Sequence, residues 1–234
     1  MLITALTKFT AIDFPGKLAC IIFTGGCNLR CGFCHNAEFV LPEKLEKMKK
    51  SAISFETVLS FLKARQGMLE GVVICGGEPT VQPDLIEKMR QIKFLGYSLK
   101  LDTNGLNPGK LEEIIRENLV DYIAMDVKDA LPYRKDLMGV TVNPDLIRKS
   151  IKIIINSGIR HEFRSTIMPS KHSLEVLKSM AGEIVNSEKW VLQRFRSMKT
   201  LDKQYEQMTE FSTEDMRFLS RSLQEYNQNL EIRI

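Results

Sequence analysis

Short apolar runs alternate along this chain with longer amphipathic segments, the pattern of strands and helices in turn. The runs predict strands at Leu18 to Thr24, Gly71 to Cys75, Ser98 to Asp102, Tyr122 to Asp126, Glu162 to Ile167 and Trp190 to Phe195, with a last one at Leu230 to Ile234. The amphipathic segments between them predict helices at about 54–66, 83–94, 108–118, 144–157, 173–187 and 213–226. Asn107-Pro108 and Asn143-Pro144 each set a side-chain acceptor at the helix cap and a fixed φ in the first turn. Gly96 and Gly158 stand where helices should stop. Repeated βα units imply an α/β fold around a parallel sheet. Six units are fewer than the eight of a closed barrel, so the expected form is an open, partial (βα)6 barrel. No linker tract, low-complexity stretch or fixed-period repeat divides residues 1–234, which predicts one domain.

Composition changes this picture little. The formal charge of +4 reflects 33 basic against 29 acidic residues, and the densest basic run, Lys44 to Lys50, is broken by Glu46. With few aromatics interleaved, that run reads as a solvated loop or helix face, not a nucleic-acid surface. The N-terminus lacks a basic region followed by an apolar core, and no apolar stretch approaches the ~18–20 residues of a membrane span. The expectation is a cytoplasmic protein with no membrane partner. Cysteine usage is more informative. The chain has five cysteines, an odd number, and three of them crowd into positions 27 to 34. Such crowding suits a metal site in a reducing compartment better than a disulfide framework.

Directly after the first predicted strand the chain reads Gly25-Gly26-Cys27-Asn28-Leu29-Arg30-Cys31-Gly32-Phe33-Cys34-His35-Asn36. Three thiolates on one tight loop can grip one face of a cubane cluster, and no fourth cysteine follows at ferredoxin-like spacing. One iron would then keep an open coordination position. The alternative is a zinc site of Cys27, Cys31, Cys34 and His35, since zinc accepts three thiolates and an imidazole. His35 abuts Cys34, which makes closing a tetrahedron difficult. Cys20 and Cys75 fall within or at the end of predicted strands and read as small buried hydrophobes. His161 and His172, with no partner at ligand spacing, read as ordinary surface or loop histidines.

The loop resembles the signature of the radical S-adenosylmethionine (SAM) superfamily, Cys-x3-Cys-x2-Cys with an aromatic before the last cysteine, here Phe33. Other strand ends extend the resemblance. Cys75-Gly76-Gly77-Glu78-Pro79 resembles the Gly-Gly-Glu-Pro motif of the superfamily. Its two glycines permit close backbone approach to a ligand, and Glu78 can pair with an ammonium such as the methionine amine. Asp102-Thr103-Asn104-Gly105 and Asp126-Val127-Lys128 are similar to segments of the pyruvate formate-lyase activating enzymes. The resemblance assigns Asn104 and Lys128 to SAM, and Asp102, Thr103 and Asp126 to a monovalent cation. Arg164, in an Arg-x4-Pro segment, suits the ribose or carboxylate oxygens of SAM. The resemblance suggests Gln193 as a further cofactor contact, in a stretch that departs from the Leu-Pro-Tyr-His-like segment of those activators.

The resemblance implies a [4Fe–4S] cluster on Cys27, Cys31 and Cys34, SAM chelating the open iron, and reductive cleavage to a 5′-deoxyadenosyl radical. The stretch from Thr7 through Asp13-Phe14-Pro15-Gly16 to Cys34-His35-Asn36 looks like the branch that activates glycyl-radical enzymes. Within it, the sequence looks most like the activating proteins of anaerobic ribonucleoside-triphosphate reductase. The implied partners are that reductase and a flavodoxin-like or ferredoxin-like electron donor. Two rival readings stand beside this one: a radical SAM enzyme acting on a small molecule, similar to 7-carboxy-7-deazaguanine synthase, and a zinc-binding interaction module without catalysis.

Overall fold

A computed structural model describes residues Met1–Ile234. The chain forms two units: the first holds Met1–Asn28, Asn36–Thr103 and Gly109–Ile123, and the second holds Leu29–His35, Asn104–Pro108 and Ala124–Ile234.

In the first unit, β1 (Ile3–Thr10) runs antiparallel to β2 (Ala19–Thr24). Helices α1 (Pro42–Lys49) and α2 (Phe55–Lys63) follow, then β3 (Gly71–Gly76), α3 (Leu85–Phe94), β4 (Ser98–Thr103) and α4 (Pro108–Arg116). β2 pairs parallel with β3, and β3 with β4. The register sets Thr24 opposite Gly76 and Ile74 opposite Leu101, so the carboxyl ends of these strands lie side by side. Ile22, Ile74, Leu99 and Leu101 are wholly buried, as central strands of a covered parallel sheet require. Ser54 caps α2 by accepting the Thr57 amide at 3.1 Å.

Strand β1 departs from the expected series. Only Ile3 and Thr10 of its eight residues are buried. An edge strand that buries so little leaves no apolar run to read, and a hairpin precedes the first βα unit. α1 was equally hidden. It buries no residue, and the run Lys44 to Lys50 lies along its exposed surface and end.

The second unit takes in the end of β5 (Tyr122–Asp126), then α5 (Lys135–Met138), α6 (Pro144–Asn156), β6 (Arg160–Ile167), α7 (Leu174–Glu183), β7 (Trp190–Arg194), α8 (Thr213–Leu223) and β8 (Leu230–Arg233). β6, β7 and β8 pair parallel in chain order. The expected cap at Asn143 forms, its side chain accepting the Asp145 amide at 3.0 Å. Trp190, Phe163 and Phe195 are fully buried. The Trp190 indole N–H donates to Ser165 Oγ at 3.0 Å, and that hydroxyl donates to the Val127 carbonyl at 2.7 Å. The largest core side chain is thereby satisfied without water. His172 lies in a loop, as expected, but is buried and hydrogen-bonded, and His161 is buried and hydrogen-bonded within β6.

One exposed helix position is suboptimal. Gly182, in α7, is exposed, and a Cβ there would meet nothing within 4 Å. Gly182→Ala should stabilise the protein by about 0.5–1 kcal/mol by restricting the unfolded chain. Thermal denaturation should show a rise of about 2 °C, with activity unchanged.

Candidate functional site

The first unit brings together the glycines after β2 and those ending β3. Gly26 N–H donates to the Phe39 carbonyl at 2.7 Å, while the Gly26 carbonyl accepts the Glu78 amide at 2.7 Å. Gly77 N–H donates to the Thr24 carbonyl at 2.8 Å, and Gln82 Nε2 donates to the Gly25 carbonyl at 2.7 Å. A Cβ on Gly77 would lie 2.1 Å from the Gly26 oxygen, and one on Gly76, at φ +121°, would lie 2.3 Å from the Thr24 amide and carbonyl. The two glycines therefore admit a neighbouring stretch of the same chain, where the sequence suggested room for a ligand. Cys27, half-buried, continues from this laced segment.

Glu78 is 1% exposed. Its Oε1 accepts the Thr80 amide at 3.0 Å, the Thr80 hydroxyl at 2.5 Å and the Thr103 hydroxyl at 2.8 Å. Thr103, assigned from sequence to a cation, thus serves to orient Glu78. Asp102 accepts Lys100 Nζ at 2.5 Å in a buried pair. A fixed ammonium already matches the carboxylate that the sequence offered to a monovalent cation.

In the second unit the loop from Leu29 to His35 is pinned from two sides. Arg30 N–H donates to the Met138 carbonyl at 2.9 Å and Gly32 N–H to the Leu137 carbonyl at 3.3 Å. On the other side the Cys34 carbonyl accepts the Leu201 amide and the Gly32 carbonyl accepts the Asp202 amide, each at 2.9 Å. The loop closes on itself through Cys34 N–H to the Cys31 carbonyl at 3.0 Å. Gly139 lets the pinning segment approach, since a Cβ at its φ of +69° would lie 2.4 Å from the Arg30 oxygen. Tyr205 packs on Gly32 and lies 6.2 Å, centroid to centroid, from the buried Phe33 ring. No local signal in the chain marks the 137–139 and 201–205 segments as supports of this loop.

The charges of the second unit gather on Asp126. Lys128 Nζ donates to its Oδ2 at 2.9 Å and Arg164 Nε to its Oδ1 at 3.0 Å. Burial alone would raise the Asp126 carboxyl, but the two cations outweigh it and hold it down at about 2. The Lys128 ammonium is held above its ordinary range, burial being outweighed by Asp126 and then Cys31. It also sits 5.9 Å from the Phe33 ring centroid. Cys31 is buried, with its Sγ 3.8 Å from the Met138 thioether. Burial pushes its thiol up to about 11, with Lys128 pulling down and Cys34 pushing up. Gln193 pairs in register with Thr166, two residues beyond Arg164, and so shares the sheet face of Arg164. Asn104 is buried, and its Oδ1 accepts the Leu106 amide at 3.0 Å.

The donor set fits an iron–sulfur cluster. Cys27, Cys31 and Cys34 stand on one loop, none of them in a disulfide, and the Lys128 cation acts on both Cys31 and Cys34. Cys20 is buried within β2, its thiol pushed up to about 12 by that burial, and belongs to the core. Cys75 is half-buried at the end of β3. His35 stacks on Phe195 at 5.6 Å, and its Nε2 lies 2.9 Å from the Arg196 carbonyl, so its ring is engaged in packing and hydrogen bonding. That engagement weighs against a Cys₃His zinc centre. The structure draws no three of its His, Cys, Asp and Glu side chains together as ligands of a single metal ion.

Comparison with known proteins agrees with this donor chemistry. Residues 21–180 match the radical SAM superfamily. A Methanocaldococcus jannaschii protein assigned as a glycyl-radical enzyme activating enzyme is 30% identical over 99% of this chain and 95% of its own length. The pyruvate formate-lyase-activating enzyme of Clostridium pasteurianum is 29% identical over 80% of this chain and 79% of its own. Among solved structures, Streptococcus suis SuiB bound to its precursor peptide SuiA superposes with a TM-score of 0.69 at 20% identity. That match takes in 92% of this chain and 48% of SuiB, so the chain spans about half of that protein. The likeness shows the fold: α/β with a mostly parallel, open sheet, the partial barrel expected from the sequence. With the family's defining cysteine loop inside the matched residues, the chain belongs to the radical SAM superfamily.

Proposed function

We propose that this chain activates a glycyl-radical enzyme, with anaerobic ribonucleoside-triphosphate reductase as its partner. The likeness to the Methanocaldococcus jannaschii relative along essentially the whole of both chains carries the activase reading, and the choice of partner rests on the resemblance of the Asp13-Phe14-Pro15-Gly16-Lys17 turn and the Gln193 segment. A [4Fe–4S] cluster on Cys27, Cys31 and Cys34 would supply the electron that cleaves SAM, leaving a 5′-deoxyadenosyl radical to take a hydrogen atom from a glycine Cα of the partner.

The chain's own residues bind and orient. Lys128 carries a fixed positive charge for the SAM carboxylate, and Asp126 holds that ammonium in place together with Arg164. Glu78, fixed by Thr80 and Thr103, presents a buried carboxylate for the methionine amine. Asn104 and Gln193 complete the contacts to the cofactor. The reductant is a flavodoxin-like or ferredoxin-like protein.

The test is anaerobic reconstitution with iron and sulfide, reduction in the presence of SAM, and quantification of 5′-deoxyadenosine. Anaerobic reductase or, in a parallel sample, pyruvate formate-lyase is then added and the sample frozen for EPR. The expected result is 5′-deoxyadenosine together with a glycyl-radical doublet. No 5′-deoxyadenosine sinks the mechanism. Cleavage with a doublet on pyruvate formate-lyase alone sinks the choice of partner, and cleavage with a doublet on neither sinks the activase reading.

A further inference from the structure

We infer that His172 and Tyr133 are positioning residues that clamp the backbone of Lys128 and so fix where its ammonium stands. The inference rests on the reading of Lys128 as a partner of the SAM carboxylate. Lys128 is the second residue past the end of β5, where the strand ladder no longer dictates the path of the chain. Both polar groups of its peptide are nonetheless bonded. Its N–H donates to Tyr133 Oη at 3.2 Å, and its carbonyl lies 3.1 Å from His172 Nε2.

The geometry fixes the tautomer of His172. Met168 N–H donates to Nδ1 at 3.2 Å, so Nδ1 is the acceptor. Nε2 therefore carries the hydrogen and donates it to the Lys128 carbonyl. The imidazole is 1% exposed, so the bond does not compete with water. His172 is itself held, because its own N–H donates to the Met168 carbonyl at 2.9 Å. A second tie joins the same two loops. Arg134 grips the buried Asp129 with Nε at 2.7 Å and Nη2 at 2.8 Å, and Nη2 also donates to the Lys171 carbonyl at 2.6 Å. The loop after β6 thus stands as a fixed wall against which the peptide of Lys128 is set.

Consequences follow for the side chain. Its ammonium donates to Asp126 and lies over Phe33, an arrangement that a small displacement of the peptide would spoil. Loss of either clamp should weaken SAM binding more than it slows cleavage at saturating SAM, since the reacting bond is elsewhere.

The test measures SAM affinity by anaerobic equilibrium dialysis on the cluster-loaded enzyme, and 5′-deoxyadenosine formation at saturating SAM. Lys128→Met should weaken binding about tenfold or more. His172→Ala should weaken it about three- to tenfold, with iron content unchanged, and His172→Gln, which keeps an N–H donor, should recover most of the loss. In the Lys128→Met background, His172→Ala should have almost no further effect on affinity.

If His172→Ala lowers affinity by the same factor in both backgrounds, the residue is merely structural and the proposal is overturned. The same holds if His172→Ala leaves affinity intact while Lys128→Met does not. If Lys128→Met itself binds SAM normally, the reading of Lys128 falls and takes the clamp with it. Should His172→Ala fail to fold, Tyr133→Phe, which removes one oxygen, runs through the same cycle with the same criteria.

Discussion

A Cys31→Ala protein, reconstituted anaerobically with iron and sulfide, is expected to lose its [4Fe–4S] absorbance and to form 5′-deoxyadenosine about a hundredfold more slowly or not at all. Cys31 lies in the middle of the loop, on a segment held at Arg30, Gly32 and Cys34 by backbone bonds to 137–138 and 201–202. That loop survives the substitution, because its hydrogen bonds are backbone to backbone. No other thiol replaces the lost one: Cys20 is sealed in β2, and Cys75 ends a different strand. Removing one sulfur from a site already shaped by the backbone should lower the melting temperature of the cluster-free protein by only a few degrees. Iron content and thermal stability therefore separate a lost ligand from a lost fold. Cys27→Ala and Cys34→Ala should behave alike, while Cys75→Ala should retain most of the cleavage activity. Full cleavage by Cys31→Ala would overturn the assignment.

The chemistry of this chain was legible in its sequence where the relevant residues are neighbours. The cysteine loop and Gly76-Gly77-Glu78 are contiguous, and each follows an apolar run whose carboxyl end the structure places within a residue or so of expectation. Strands β5 and β7 were equally plain, since buried Val, Ile, Leu and Met sit between polar punctuation. Contacts between distant segments were not legible. Nothing in the local sequence of Leu137 to Gly139, or of Leu201 to Tyr205, announces that their backbones hold the cysteine loop. His172 stands in a loop, as expected, but its burial is not legible for the same reason. A lone histidine among Ser, Lys and Pro looks solvated, and only the folded chain sets the Lys128 carbonyl and Met168 amide against its two nitrogens. β1 and α1 escaped notice because they bury too little for hydrophobic periodicity to register.

Gly76 ends β3 and Gly77 follows it, and both admit backbone of the same chain. Gly77→Ala is expected to cost SAM binding at least about tenfold and to destabilise the fold by about 1–3 kcal/mol. The added Cβ would stand 2.1 Å from the Gly26 oxygen, 2.7 Å from the Gly26 carbonyl carbon and 3.0 Å from the Phe39 oxygen. All three are backbone atoms, so no rotamer change relieves the clash. Gly26 is itself fixed by its N–H to Phe39 and by its carbonyl to Glu78, and Gly77 by its N–H to Thr24. Relief must come from lengthening these bonds, which displaces Glu78 from Thr80 and Thr103 and shifts the chain leading into Cys27. Anaerobic SAM binding and urea denaturation would measure the two consequences separately. A Gly77→Ala protein with native affinity would show that the segment yields at little cost, and that the close approach of Gly77 to Gly26 does not set the position of Glu78. Gly109→Ala serves as the comparison, since a Cβ there meets nothing within 4 Å, and neither measurement should fall.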